Sequence, residues 1–306
     1  MTAGSARLTL GPLRFNWPAE RQRDFYFRIA EEAPVDVVYL GEVVCIKRAP
    51  FTAPIFPEVI ERLVRAGKEV VLSTLALVST DRELDMVRAL VENGAHLVEA
   101  NDLSALSLLQ GRRHAVGPLV NVYNEGTLAW LARNGACRVV LPAELPGTDI
   151  AGLARAVPEV ELEVQVFGRL PLAISARCYH ARSRGLHKDG CRYVCAEDTD
   201  GMDVDTMDGE PFLAVNGTET MSHRCVNLIA HLPNLRAGGV GLFRLSPQDV
   251  DMVRVAAIFR AVLDGRMAPG VAIAALTDLV SFAPFADGFY RGVPGVAWRA
   301  PFDEPE

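Results

Sequence analysis

Three cysteines, Cys178, Cys191 and Cys195, lie in ARCYHARSRGLHKDGCRYVC with twelve and three residues between them, so one loop could carry three thiolates to a single point. A fourth candidate, Cys45, stands three residues past Glu42 in YLGEVVCIKR. Four thiolates suit a tetrahedral zinc or an iron–sulfur cluster. Structural zinc usually takes paired ligands from two knuckles, and only Cys191 and Cys195 form such a pair, whereas a wider cluster tolerates scattered ligands. Spacing leaves both metals open. Lys47, Arg48, Arg177, His180, Arg182, Arg184 and His187 flank the cysteines and would favour their thiolates. With all four ligating a cluster, no iron is left open for substrate, which points to electron transfer or a redox-structural role. The compact three-cysteine motif of enzymes that cleave S-adenosylmethionine is absent. A thiol nucleophile paired with His180 or His187 is the rival reading, but a metal accounts for three nearby cysteines at once. Cys137 and Cys225 lie in apolar patterns and read as buried small hydrophobes.

The elements that must position these residues follow from periodicity. Eight short, largely apolar runs start at Leu8, Val35, Glu69, His96, His114, Cys137, Glu161 and Val240, with amphipathic stretches between them. That alternation predicts an α/β fold, a (β/α)8 TIM-like barrel, with an open doubly wound sheet as the runner-up. In PEVIERLVRAG, Pro57 suits a first helical turn and Gly67 a stop; in DRELDMVRALVENG, Asp81 is the expected cap and Gly94 the stop. Residues 175–220, after the seventh strand, break the pattern and read as a cysteine-bearing functional insertion. A helix is expected to resume at Ser222. The barrel domain, with the insertion, is assigned to residues 1–267, and 268–306 to an irregular C-terminal cap.

Parallel strands place Cys45 and the cysteine loop at the same carboxyl-terminal mouth, where barrels assemble their chemistry. Glu42, Asn101, Asn121, Glu144 and Arg244 are expected near the same strand ends. Arg177 and Arg244 are the candidate substrate-anion ligands, since a guanidinium holds a carboxylate bidentately. Tyr290 either covers the pocket or packs the tail to the core. The glycines of AGGVGLFR precede a strand and are no dinucleotide fingerprint.

Composition narrows the class. The 306 residues carry 31 Lys and Arg against 38 Asp and Glu, a formal charge of -7, which speaks against duplex nucleic acid as the main partner. No run of eighteen apolar residues and no signal-peptide pattern is present, so a cytoplasmic protein without a membrane span is expected.

Over nearly its whole length the chain resembles the collagenase-like "peptidase" family, and in particular members that serve ubiquinone biosynthesis. The resemblance rests on YLGEVVCIKR, VLSTLALV, LPLAISARCYHARS, the Cys191 and Cys195 pair, NGTETMSHRCVNL, RLSPQ and DGFYRG. It implies a 4Fe-4S cluster on Cys45, Cys178, Cys191 and Cys195. It also implies a heterodimer with a UbiU-like protein, help from a UbiT-like lipid carrier, and oxygen-independent ring hydroxylation of a ubiquinone precursor with prephenate as hydroxyl donor. An extra cysteine common near the pair is replaced here, because Tyr193 and Val194 fill the interval. Peptidase chemistry finds no support, as neither an H-E-x-x-H helix nor a G-x-S-x-G elbow is present. Two other roles stay open: a noncatalytic electron-transfer or scaffold subunit, and a hydroxylase of RNA bases, since relatives modify RNA.

Overall fold

Alternation within the short strands decides how the chain closes. The computed structural model describes residues 6–299. Strand β1 (Arg7–Leu10) leads to α1 (Ala19–Glu32), β2 (Val37–Leu40), α2 (Ala49–Thr52), α3 (Phe56–Arg65), β3 (Glu69–Ser73), α4 (Asp81–Asn93) and β4 (Leu97–Ala100). There follow α5 (Leu103–Leu109), β5 (His114–Val116), α6 (Glu125–Arg133), β6 (Ala136–Val140), α7 (Gly147–Ala156) and β7 (Glu161–Ile174). The insertion holds α8 (Tyr179–Ser183), β8 (Met202–Asp205), β9 (Pro211–Asn216) and β10 (Glu219–Asn227). The chain ends with α9 (Leu232–Ala237), β11 (Leu242–Leu245), α10 (Met252–Leu263), α11 (Pro269–Leu279) and β12 (Phe285–Ala286). Strands β1 to β7 pair in parallel sequence, and β11 pairs in parallel with both β7 and β1, closing an eight-stranded barrel. The TIM-like barrel expected from the sequence is the observed fold.

Leu8, Val38, Val70, Val98, Val139, Leu162 and Phe243 join the large core shared with the helices. Their neighbours in sequence belong to the barrel interior, where a small apolar cluster holds Val37, Tyr39, Val71 and Leu242 with Leu97 packed against it. Charge fills much of the rest. Arg244 Nε donates to Glu163 at 2.7 Å and its Nη2 to Glu99 at 2.7 Å, with all three side chains buried. Thr9 and Tyr39 hydroxyls also donate to Glu163, and Ser73 donates to Glu99 at 2.6 Å. A second tier joins Arg138 and Arg7 to Glu69 and Glu161. Burial alone would raise the Glu163 carboxyl, but Arg244, Arg138 and the hydrogen bonds from Arg244 and Thr9 outweigh it and hold it below the usual carboxylate range.

Strand β2 ends where Gly41 presses onto β3. At φ +148°, a Cβ there would stand 2.2 Å from the Ser73 carbonyl oxygen, so only glycine lets the Glu42–Cys45 turn leave the barrel at this angle. The cap of α4 is Thr80, one residue before the expected Asp81; its side chain accepts from Glu83 N at 3.3 Å, and Glu83 reaches back to Ser79 N at 2.8 Å. Gly94 ends the helix at φ +64° as expected. Thr80→Ala is expected to cost about 1 kcal/mol and lower Tm by roughly 2–4 °C, read by calorimetry; an unchanged Tm would mean that the Glu83 contacts alone hold the turn.

Two expectations fail. Residues from Ser222 do not resume a helix; they continue β10, which pairs antiparallel with β7 and β9. Helical periodicity misled there because β7 runs 14 residues, far past the barrel rim, and offers an edge that claims the segment. Residues after Ala268 are not simply irregular: α11 buries Ala272, Ile273 and Leu276, and its Pro269 and Gly270 open the helix instead of breaking it. Beyond it, β12 pairs with β10. Residues 1–5 and 300–306 of the two expected domains lie outside the described residues. Among the described residues no helix is long and apolar enough to cross a membrane.

Candidate metal centre

Cys45, Cys178, Cys191 and Cys195 all line one small cavity of about 20 Å³ at the carboxyl-terminal mouth, together with Lys47, Arg48, Lys188 and Gly217. Three separate stretches supply them. Cys45 follows a turn held by Glu42, whose Oε1 accepts from Val44 N and Cys45 N at 2.9 Å each. Cys178 stands just beyond the long β7 and accepts from Ala181 N at 3.4 Å. Cys191 and Cys195 flank a bend in which Arg192 and Tyr193 take φ of +52° and +56°, unfavourable for side-chain-bearing residues. The bend is held in part by an edge-to-face contact of Tyr193 with Phe51, ring centroids 4.9 Å apart.

Arg48 ties these stretches together. Its Nη1 donates to Arg14 O and its Nη2 to Asn216 Oδ1, each at 2.8 Å, while Asn216 Nδ2 donates to Arg14 O at 2.8 Å. Arg14 pairs with buried Glu219, and Thr218 donates to Val44 O at 2.9 Å, clamping the β9–β10 turn onto the loops after β1 and β2. The Arg48 Nε is buried without a hydrogen-bond partner. Around this buried cation lie Glu42, Cys195 and Cys45, whose negative forms favour its charge. Asn16 Nδ2 donates to Cys195 Sγ at 3.4 Å, and Lys47 caps Lys188 O at 2.6 Å. Burial pushes the Cys45 and Cys178 thiols up, with Arg48 opposing in both. A metal would therefore release protons as it bound. Burial likewise raises the Glu42 carboxyl, against Arg48 and the two backbone donors.

An orphaned guanidinium N–H beside four thiols fits an anionic thiolate-ligated group, for which these cysteines would be the ligands. Among the described residues no three His, Cys, Asp or Glu side chains are grouped to hold a single metal ion.

The other candidates separate. Arg244 lies inside the barrel with both Glu99 and Glu163 on its guanidinium, so a substrate carboxylate would have to displace a buried pair. Arg177 is exposed beside Cys178. Tyr290 tilts over His231 with centroids 4.4 Å apart, and its carbonyl accepts from Gly147 N at 2.8 Å, which fastens the tail to the loop after β6. Asn101 braces Thr74 and Glu99, Glu144 accepts from Tyr123 at 2.6 Å, and Asn121 is exposed. His180 is turned to Asp198 at 2.8 Å and His187 accepts from Gly190 N, which weakens a thiol–imidazole pair. Cys225 is fully buried, in a strand instead of a helix, and its thiol is pushed up to about 12 by burial; Cys137 is only partly buried.

Arg14, Asn16, Lys188 and Gly217 were not singled out from the sequence. The position of Arg14 at the end of the first apolar run and of Asn16 directly after it is the one signal in the sequence that points to them.

Residues 26–299 match peptidase family U32. The chain belongs to peptidase family U32. Among curated U32-like sequences, it is 33% identical over 78 residues to the tRNA hydroxylation protein P of Haemophilus influenzae, a match that covers 24% of this chain and 17% of that protein. The chain thus spans about a sixth of that relative's length. In three dimensions this U32 chain is similar to N-acetylneuraminate lyase from Fusobacterium nucleatum, with 10% identity, TM-score 0.47, and 90% and 82% of the two chains covered. It is also similar to a Xanthomonas albilineans dihydropteroate synthase, with 15% identity, TM-score 0.43, and 86% and 94% covered.

Proposed function

We propose that this chain is a UbiV-like iron–sulfur subunit of an oxygen-independent ring-hydroxylation system in ubiquinone biosynthesis. It works with a UbiU-like partner in a heterodimer, receives the apolar ubiquinone precursor from a UbiT-like lipid carrier, and uses prephenate as the hydroxyl source. The observation that carries the reading is the cavity ringed by Cys45, Cys178, Cys191 and Cys195 beside the buried Arg48. Four cysteines from three separate stretches, with only Cys191 and Cys195 as a close pair, suit a 4Fe-4S cluster better than a zinc held by two knuckles. Membership of family U32 and a relative named for hydroxylation agree with the reaction class.

The cluster would supply one-electron transfer. The chain's own residues do the rest: the four cysteines hold the group, Arg48 offsets its negative charge, Asn16 and Ala181 N donate to cysteine sulfurs, and Phe51 packs on Tyr193 to steady the Cys191–Cys195 bend. In a noncatalytic version of the same reading, the substrate sits wholly in the partner. The relative's name favours a second reading, hydroxylation of an RNA base, against which the net charge of -7 counts.

Purification without oxygen is expected to give brown protein with about four irons and four sulfides per chain, together with its partner. Colourless protein with one zinc would discard the cluster. In a strain lacking the gene and grown without oxygen, mass spectrometry should find unhydroxylated ubiquinone precursors with tRNA nucleosides unchanged; the opposite pattern would select the RNA reading.

A further inference from the structure

The β9–β10 hairpin has two ends with different surroundings. Its tip, Gly217, lines the cysteine cavity, whereas Leu213, Ser222 and Arg224 further along line a separate groove of about 320 Å³. The groove lies between the sheet extension formed by β7, β9 and β10 and the tail segment that follows β12. Its walls are Leu170, Leu172 and Leu213 on one side and Phe289, Pro294 and Val296 on the other. Pockets of about 300–1,000 Å³ with apolar walls and few polar groups are the usual form of a small-molecule site. Phe212 and Val296, 51% and 53% exposed, carry the apolar lining out to the mouth of the groove.

The polar groups sit together. Arg224 donates to Phe285 O at 3.3 Å and forms no ion pair among the described residues. Neighbouring His223 contacts Asp203 at 3.3 Å, and that carboxylate is already shared with Arg169. The groove therefore offers, at the edge of an apolar trough, a guanidinium that has no carboxylate partner among the described residues.

We propose that this groove binds a small amphipathic anion, with a single carboxylate on Arg224 and an aromatic or alkyl body against the leucines of β7 and β9 and the tail. The proposal goes beyond the functional reading above and depends on neither the cluster nor the pathway. Charge complementarity selects the anion, since a guanidinium flanked by apolar walls gains most from a carboxylate that it can hold bidentately.

Calorimetric titration of the full chain with 4-octylbenzoate tests it, against 4-octylbenzyl alcohol as the uncharged counterpart. The carboxylate is expected to bind, and the alcohol at least about tenfold more weakly. Arg224→Gln should weaken the carboxylate about tenfold or more and leave the alcohol unchanged. Val296→Trp, at a half-exposed position where folding is not at risk, should fill the trough and abolish both. Failure of the carboxylate to bind, or equal affinity for wild type and Arg224→Gln, overturns the proposal. Dimerisation in the ultracentrifuge that Val296→Trp abolishes, without ligand binding, would give the groove to a second copy and overturn it too.

Discussion

Arg244→Met is expected to destabilise the barrel by about 3–5 kcal/mol, because it strands Glu99 and Glu163 as buried carboxylates without their shared cation. For a domain of this size that is a fall in Tm on the order of 10 °C. Adding Glu163→Gln should restore part of the loss, since one of the stranded charges is then gone. The effect has a pH signature. Glu163 is held below the usual carboxylate range in the folded chain, so the unfolded chain binds its proton more readily. The stabilisation it brings is full above the unfolded value, about pH 4.3, and is lost as pH falls through the lower folded value. Calorimetric scans from pH 7 down to 3 should show a steeper decline in Tm for wild type than for Glu163→Gln. Equal slopes, or an Arg244→Met protein within about 2 °C of wild type, would show that the ion network contributes little.

The Cys178→Ala, Cys195→Ala double variant is expected to take iron from about four per chain to below one and to abolish hydroxylation. The barrel should nonetheless unfold cooperatively, with near-UV circular dichroism like that of the parent. The two thiols belong to the rim, and the large core between strands and helices contains neither. A chain of this length buries enough surface to fold without a metal. Iron retained at the parental level would remove these cysteines from the ligand set. Loss of cooperative unfolding would make the metal a folding element instead of an addition to a finished fold.

The barrel was legible because its signal is local. Seven of the eight apolar runs contain a barrel strand or nearly all of it, the run from Glu161 holds the first part of the 14-residue β7, and the stops at Gly67 and Gly94 fall where positive φ is required. The charged interior is also written in the strands, as ELEVQV and LFRL show, but alternation reports only which residues share a face. It does not say that Arg244 on β11 meets Glu99 on β4 across the barrel, which leaves Arg244 looking free for a substrate anion. The failure at Ser222 has the same origin: residues 222–227 become a strand because β7 overruns the rim and leaves hydrogen-bonding groups that must be paired.

By itself the sequence determined the order of the barrel strands and of the helices between them, and it offered the four cysteines as candidates, since propensity, periodicity and residue type act over a few neighbours. Tertiary structure alone decided that those cysteines share one cavity, that Arg48 is the buried cation lining it while the equally buried His180 turns to Asp198, and that Arg14, Asn216 and Glu219 clamp the insertion over it. Contacts between residues up to 205 positions apart depend on where the closed barrel sets each loop, and no local pattern in the chain encodes that distance.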